Sequence, residues 1–395
     1  MEKMHLPNHY SDPLERLRDM DWDYEGDQSA SQFSALHFYP GRLISQIPAA
    51  LIGSLSSPGD SVLDPYCGSG TTILEAQRLG RHAVGIDINP ISTLIGRAKT
   101  FSVKADRVQL VMSEHLRRIL DERLATGSKN GALKLVVPPT VQGPKWYHPA
   151  TLFELSVLWT YIQGCSGVSR IMMEFCFSSI LISACSETRH WGYICDNTRP
   201  LNNSYTNAFS LFEDAVRELC AAYTERDRRL IKGAQTLPHV RFECDDAAVA
   251  LRRHQDNEFS LVVCSPPYFG VVDYVKAQRL TMEWFGLDIQ IYRTMETGAR
   301  SKRTRLKAHE EYISDIKAVF VQVERVLQPG GYCCMILGQS TKRRETIPEL
   351  IEALNDAGLP LSMQIVRDVA LRRRQRPHIN DESLLIFRKQ PLSAN

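Results

Sequence analysis

Apolar residues change their period several times along the chain, and the changes mark the elements. Ser61–Leu63 reads as a short buried strand, Thr71–Leu79 as a helix, and His82–Ile86 as a second strand ending at Asp87. A third strand over Val240–Glu243 and a fourth over Ser260–Cys264 follow only after a long interval. Beyond them the pattern predicts a helix from about His309 to Leu327, a turn at Pro329-Gly330-Gly331 and a strand over Tyr332–Leu337. A helix over Ile347–Ala357 and closing strands near Leu361–Val366 and Ser383–Phe387 complete the series. Strands alternating with helices in this way predict an α/β fold with a doubly wound, mainly parallel sheet.

The long interval, residues 101–235, keeps its apolar residues at helical spacing, as in Leu152, Leu155, Leu158, Trp159 and Ile162, and again from Ile171 to Ala184. It predicts a helical insertion packed beside the sheet. Residues 1–32 are polar, with Asp19, Asp21, Asp23, Glu25 and Asp27 around Trp22 and Tyr24, and predict an arm rather than a domain. The organisation expected is an arm (1–32), two halves of one sheet domain (33–100 and 236–395) and the insertion (101–235) between the halves.

Composition alters this picture little. With 43% hydrophobic and 23% charged residues in 395, the chain is an ordinary globular one, not a disordered one. No uninterrupted apolar run long enough to span a membrane occurs, and Met1 to Arg16 carries charges and prolines where a secretory signal needs an apolar run, so a cytoplasmic protein without a membrane partner is expected. The ten cysteines are scattered without a CxxC pair, which predicts reduced, buried thiols and no metal site. A net charge of +2 does not identify a partner, but local charge is uneven. Arg300, Lys302, Arg303, Arg305 and Lys307 form one basic run; Arg367, Arg372, Arg373, Arg374 and Arg376 form another. Such runs are solvated faces unless they flank a pocket.

The chemistry begins at Asp64-Pro65-Tyr66-Cys67-Gly68-Ser69-Gly70-Thr71-Thr72, which follows a strand and opens a helix. Glycines at 68 and 70 permit a tight turn and let a ligand lie against the backbone. The next strand ends in Gly85-Ile86-Asp87-Ile88-Asn89-Pro90, which places an acid where ribose hydroxyls would be held. A dinucleotide fold would need a third glycine at position 73, which is Ile, and no phosphate loop ending in Gly-Lys-Ser/Thr is present.

These segments resemble motifs of the DNA amino-methyltransferases: DPYCGSGTT is similar to their motif I and GIDINP to their motif II, while His37-Phe38-Tyr39-Pro40-Gly41-Arg42-Leu43 resembles the segment before motif I. The resemblance implies a seven-stranded sheet and S-adenosylmethionine as cofactor. It implies that His37, Tyr39 and Pro40 close over the methionine end, and that Asp64, Tyr66, Gly68, Gly70 and Thr71 surround the methionine moiety. Asp87 and Ile88 would hold the ribose, and Asp245 or Asp246, with Ala247, would meet the adenine; helix capping is the alternative role for the two acids.

The fourth strand runs into Ser265-Pro266-Pro267-Tyr268. Paired prolines stiffen the exit from a buried strand and leave carbonyls that no neighbouring amide needs. Those carbonyls and the Ser265 hydroxyl can accept hydrogen bonds from an exocyclic amine, and Tyr268 offers a ring for a flipped base, a stack worth about 1–3 kcal/mol. The resemblance makes Ser265, Pro266, Pro267 and Tyr268 the catalytic set. Ser-Pro-Pro-Tyr is similar to the tetrapeptide of family members that act on cytosine N4, whereas Asp or Asn before the prolines mostly goes with adenine N6, so the resemblance implies cytosine N4 in preference to adenine N6. Carbon-5 methylation needs a thiolate on a Pro-Cys pair, and the chain has no such dipeptide. Cys264 is expected to pack away from Ser265. The expected partner is DNA, with a cognate restriction endonuclease or defence-system subunits as candidate protein partners. Arg300, Lys302, Arg303, Arg305, Lys307 and Arg373 are the candidate phosphate contacts, and Trp146-Tyr147-His148-Pro149 and Arg189-His190-Trp191 are either core anchors of the insertion or further DNA contacts. The alternatives are an RNA or tRNA base methyltransferase and a non-catalytic methyltransferase-like subunit that binds nucleic acid.

Overall fold

The computed structural model describes residues 12–24, 33, 35–127, 135–187, 199–200, 202–229, 237–340, 345–369 and 379–391. Its sheet contains β1 (Ser61–Asp64), β2 (His82–Asp87), β3 (Val240–Cys244), β4 (Phe259–Cys264), β5 (Leu327–Ser340), β6 (Leu361–Asp368) and β7 (Ile379–Arg388). The spatial order is β3-β2-β1-β4-β5-β7-β6. β3, β2, β1, β4 and β5 are mutually parallel, and β7 runs antiparallel between β5 and β6. The chain steps outward from β1 to β2 and β3, then returns to lay β4 on the other side of β1. That reversal opens a crevice at the carboxyl ends of β1 and β4, where ligands of open α/β sheets bind.

Side chains on adjacent strands alternate between two faces. Val62, Leu261, Val263, Cys334, Ile336, Leu384 and Ile386 pack toward one, while Leu63, Val262, Cys264, Cys333, Met335, Leu385 and Phe387 pack toward the other. The first face is covered by α1 (Pro13–Arg18), α2 (Gln46–Leu55) and α3 (Thr71–Arg78). Beside α3 lies α4 (Pro90–Thr100), whose start is set locally: Asn89 accepts a hydrogen bond from the Ile91 amide, and Pro90 sits in the first turn.

The interval after α4 folds as the predicted helical insertion: α5 (Ala105–Gly127), α6 (Gly143–Trp146), α7 (Pro149–Gln163), α8 (Gly167–Ala184) and α9 (Ala208–Arg229). These helices build their own core with Trp146, Tyr147, Trp159, Phe175, Phe177 and Phe212, which is continuous with Ile91 and Ile95 of α4. Trp146 and Tyr147 are therefore core anchors, and His148 caps α7; Arg189, His190 and Trp191 lie outside the described residues. By length and composition α8 could cross a membrane, but half of it is buried as a core helix of the insertion.

After β3 come α10 (Ala247–Leu251) and then, beyond β4, three short helices that the apolar pattern did not predict: α11 (Tyr274–Ala277), α12 (Arg279–Trp284) and α13 (Ile289–Met295). α12 carries Trp284, wholly buried in the core of the insertion, so this stretch joins insertion and sheet. α14 (Ala308–Val326) and α15 (Thr346–Asp356) cover the second face of the sheet with α10. β5 begins five residues before the strand predicted at Tyr332. Leu327 already pairs with Phe259, and the amide of Gly330, at φ +78°, donates to Lys389, so Pro329-Gly330-Gly331 is an irregularity within the strand.

The described part of the arm is docked. Leu17 and Trp22 are buried, Arg367 Nη1 donates to the Trp22 carbonyl at 2.7 Å, and the Asp368 amide donates to Asp23 Oδ1 at 2.7 Å. Arg367, read from the sequence as part of a basic face, is 4% exposed and paired with Glu382 at 3.0 Å; it is a core ion pair and not a phosphate contact. Arg372, Arg373, Arg374 and Arg376 lie outside the described residues. Among the described cysteines, all are free thiols and Cys67, Cys176, Cys185, Cys264, Cys333 and Cys334 are buried.

Candidate active site

Because β1 and β4 are parallel neighbours, with Val62 beside Leu261 and Leu63 beside Val262, the loops leaving their carboxyl ends lie side by side. Between them and the surrounding elements is a cavity of about 500 Å³. Its floor is the 64–72 loop. Gly68 (φ +47°) and Gly70 (φ +79°) take left-handed backbone, and a Cβ on Gly70 would stand 2.9 Å from the Gly96 Cα of α4. Glycine at 70 is thus required twice, by conformation and by the close approach of α4.

Asp87 knits this floor to β2. Its Oδ2 accepts the Gly68 amide at 2.9 Å and its Oδ1 the Asn89 amide at 2.8 Å. Burial pushes its carboxyl up to about 6 against those two bonds. Asp64, 3% exposed and accepting the Tyr66 amide, is pushed up to about 7 by burial. Below the loop, the 2%-exposed Lys99 donates to the Ser69 carbonyl at 3.0 Å, and burial lowers its ammonium to about 7. Two carboxyl groups held short of full solvation on the wall of a cavity suit a ligand that brings a positive charge and hydroxyl donors.

Over the floor the rings of Tyr39 and Tyr274 stack, with centroids 5.8 Å apart, and the Tyr39 hydroxyl is 2.8 Å from Ser92 Oγ. Glu296 closes the same side. It is 5% exposed, accepts the Tyr274 amide, and its carboxyl is pushed up to about 7 by burial. At the β4 side Ser265 Oγ donates to the Ile336 carbonyl at 3.2 Å and also lies within hydrogen-bonding reach of the Tyr268 side chain. The Tyr268 hydroxyl donates to Glu382 Oε1 at 3.0 Å, whose other oxygen takes the Arg367 guanidinium.

Of the residues singled out from the sequence, Tyr39, Asp64, Tyr66, Gly68, Thr71, Asp87, Ile88, Asp246, Ala247, Ser265 and Pro267 line the cavity together. His37, Pro40, Gly70, Asp245, Pro266 and Tyr268 do not. His37 points instead to Ser178 Oγ of α8 at 2.7 Å, and burial lowers its imidazole to about 4, so it is a neutral tether between this segment and the insertion. Asp245 pairs with Arg253 at 2.7 Å. Asp246 both lines the cavity and caps α10, accepting the Val249 amide, so capping and ligand contact are not exclusive for it. Cys264 faces the core, as expected, and burial raises its thiol.

Sequence reasoning missed Glu296, Thr297, Asp315, Ala318 and Val319, all of which line the cavity. Asp315 carried a faint signal, an acid next to the apolar stripe Tyr312, Ile316 and Val319 of α14; Glu296 carried none. The basic run 300–307 is anchored at this rim. Lys302 Nζ donates to the carbonyls of Thr294 and Glu296, both at 2.7 Å, and Arg305 pairs with Glu311, while Arg303 and Lys307 are exposed.

The parallel sheet with one antiparallel strand next to its edge, and a ligand-sized cavity at the β1/β4 switch point, define an α/β methyltransferase fold. Residues 13–93 match the family model described as DNA methylase, N6_N4_Mtase. The chain is 19% identical to the type II methyltransferase M.MjaII of Methanocaldococcus jannaschii over 90% of its own length and 81% of that protein. It is 25% identical to the type II methyltransferase M.BsoBI of Geobacillus stearothermophilus over 69% of its own length, and spans 57% of that relative. Among solved structures it is similar to a SAM-dependent methyltransferase from Methanosarcina mazei, at 11% identity and a TM-score of 0.35, covering 90% of this chain and all of that one. The sequence matches bear out the resemblance to the DNA amino-methyltransferases, and with it S-adenosylmethionine as the cofactor.

Proposed function

We propose that this protein transfers a methyl group from S-adenosylmethionine to the exocyclic amine of a base in DNA, cytosine N4 in preference to adenine N6. The observation that carries the reading is the adjacency of the 64–72 loop and the loop that follows β4, whose Ser265 and Pro267 line the same cavity across the β1/β4 crevice. S-adenosylmethionine supplies an electrophilic methyl on a sulfonium. Asp64, Tyr66, Gly68 and Thr71 would hold its methionine portion, Asp87 and Ile88 its ribose, and Asp246 and Ala247 its adenine. Tyr39 would close over the methionine end, with His37 and Pro40 fixing that segment from behind.

The target base would enter from the β4 side. An amine conjugated into a ring is a weak nucleophile, and hydrogen bonds from it to the Ser265 hydroxyl and the Pro266 carbonyl would localise its lone pair toward the methyl. Ser265 already gives its own proton to Ile336, which leaves it an acceptor, as this role requires. Pro267 would stiffen the loop, and Tyr268, which stands outside the cavity lining with its hydroxyl held by Glu382, would offer its ring for the base to stack on. The new N–C bond forms as the S–C bond breaks, and the amine proton is released to solvent. Arg300, Lys302, Arg303, Arg305, Lys307 and Arg373 would meet phosphates, and the insertion over 101–235, with the segment over 288–308, would read the target sequence. The kinship of the relatives named type II methyltransferases suggests a cognate restriction endonuclease as partner.

Methyl transfer from labelled S-adenosylmethionine to unmethylated duplex DNA, RNA and tRNA, followed by nucleoside mass spectrometry, tests the reading. N4-methylcytosine in DNA is expected, reduced at least about a hundredfold in Ser265→Ala and Tyr268→Ala. N6-methyladenine would reverse the preference between bases; label confined to RNA would sink the DNA assignment.

A further inference from the structure

Leu306 is 89% exposed, far more than any other large hydrophobic residue described; Leu110 and Val366 follow at 61%. It sits at the tip of a turn between Arg305 and Lys307, and Lys307 takes left-handed backbone at φ +69°, which turns the chain sharply into α14. The turn is not a loose excursion. Its base is pinned by the Lys302 bonds to Thr294 and Glu296, by the Ser301 amide donating to Asp273 Oδ1 at 2.8 Å, and by Arg303, whose Cβ lies 3.1 Å from where a Cβ on Gly270 would be. Thr294 and Glu296 line the cavity, and Gly270 is two residues beyond Tyr268. A rigidly rooted turn thus holds one bare aliphatic side chain, flanked by cations, at the rim of the cavity and against the loop that follows Tyr268.

An exposed leucine among arginines and lysines is poorly suited to water and well suited to the stack of a nucleic-acid duplex, where apolar side chains enter between bases while their basic neighbours hold the phosphates. Taking a base out of the stack also leaves a gap that something must fill for the extruded state to persist. On the reading that the substrate is duplex DNA, we infer that Leu306 is a wedge: it enters the duplex beside the target and occupies the space the extruded base vacates. It is a positioning residue, remote from the reacting atoms, and it matters only when the target is paired and stacked.

The experiment compares wild type, Leu306→Ala and Leu306→Phe on two oligonucleotide duplexes built on the methylated site, located first by sequencing methylated DNA. In one the target is normally paired; in the other it lies opposite an abasic position. Leu306→Ala is expected to lose about tenfold in kcat/KM on the paired duplex, to stay within about twofold of wild type on the abasic one, and to be rescued by Leu306→Phe. Fluorescence of 2-aminopurine at the target position, bright on extrusion, should fall in Leu306→Ala without a change in melting temperature. Equal activity of Leu306→Ala and wild type on the paired duplex, or an equal loss on both duplexes, would overturn the wedge. A wild-type enzyme that methylates neither duplex would overturn the DNA function itself, and the wedge with it.

Discussion

The two loops that meet at the crevice are built by opposite means. The 64–72 loop is fixed at its backbone: Gly68 and Gly70 take left-handed conformations, the Asp87 carboxyl accepts the Gly68 amide, and α4 packs directly against Gly70. The Ser265–Tyr268 loop is held by side chains reaching strands far away in sequence, Ser265 to Ile336 on β5 and Tyr268 to Glu382 on β7. A loop shaped by its backbone is intolerant of any added atom, whereas a loop shaped by side-chain ties depends on partners that can be removed one at a time. The difference also sorts their chemistry. The first lies among buried ionisable groups, its own Asp64 with Asp87 of β2 and Lys99 of α4, while the second brings the uncharged Ser265 and Pro267 to the cavity.

The largest effect expected from breaking this contrast is on the first loop. Gly70→Ala combines left-handed strain with a 2.9 Å approach to the backbone of α4, and should cost about 4 kcal/mol of stability in denaturant unfolding. A variant as stable as wild type would show that the loop is not fixed by its backbone. On the second loop, Glu382→Ala removes the tie on Tyr268 and leaves the buried Arg367 without its carboxylate, for about 3 kcal/mol. Glu382→Gln, which keeps an acceptor for Tyr268, should recover most of the methylation rate that Glu382→Ala loses. If the two variants have the same rate, Tyr268 is not positioned through this tie.

The smallest effect is on pH. The folded pKa values of Asp64 and Asp87 lie above those of an unfolded chain, so the cofactor-free protein holds more protons than the unfolded one between about pH 4 and 7, and these groups favour folding less as pH rises through that window. A cationic ligand with hydroxyl donors prefers the ionised carboxylates, so its affinity moves the other way. Binding of S-adenosylmethionine should weaken about tenfold from pH 7.5 to 5.5, and the melting shift it produces should shrink in parallel. Calorimetric titration across that range would expose a flat profile, which would remove Asp64 and Asp87 as ligand contacts.

How legible the molecule was follows the same division. Strand positions, the glycine loop and the Pro-Pro-Tyr exit depend on periodicity and on residues whose backbone behaviour is intrinsic, so β1 to β4 and the segments that follow them could be read along the chain. α11 to α13 could not, because helices of four to seven residues carry too little periodicity to register. Arg367 shows a second limit. In sequence it stands with other arginines as a basic face, and only the pairing of β6 with β7 brings Glu382 to it and removes it from solvent.

The sequence by itself determined the two loops that meet at the cavity and the residue types they carry, because glycine, proline and the alternation of apolar residues act over a few neighbours. Only the tertiary structure decided which of those residues share a cavity. It turned His37 toward α8 and Asp245 toward Arg253, and it brought in Glu296 and Asp315 from elements far along the chain. The reason is physical. Orientation and burial are set by packing between segments tens to hundreds of residues apart, and no local pattern encodes which distant surface a side chain will meet.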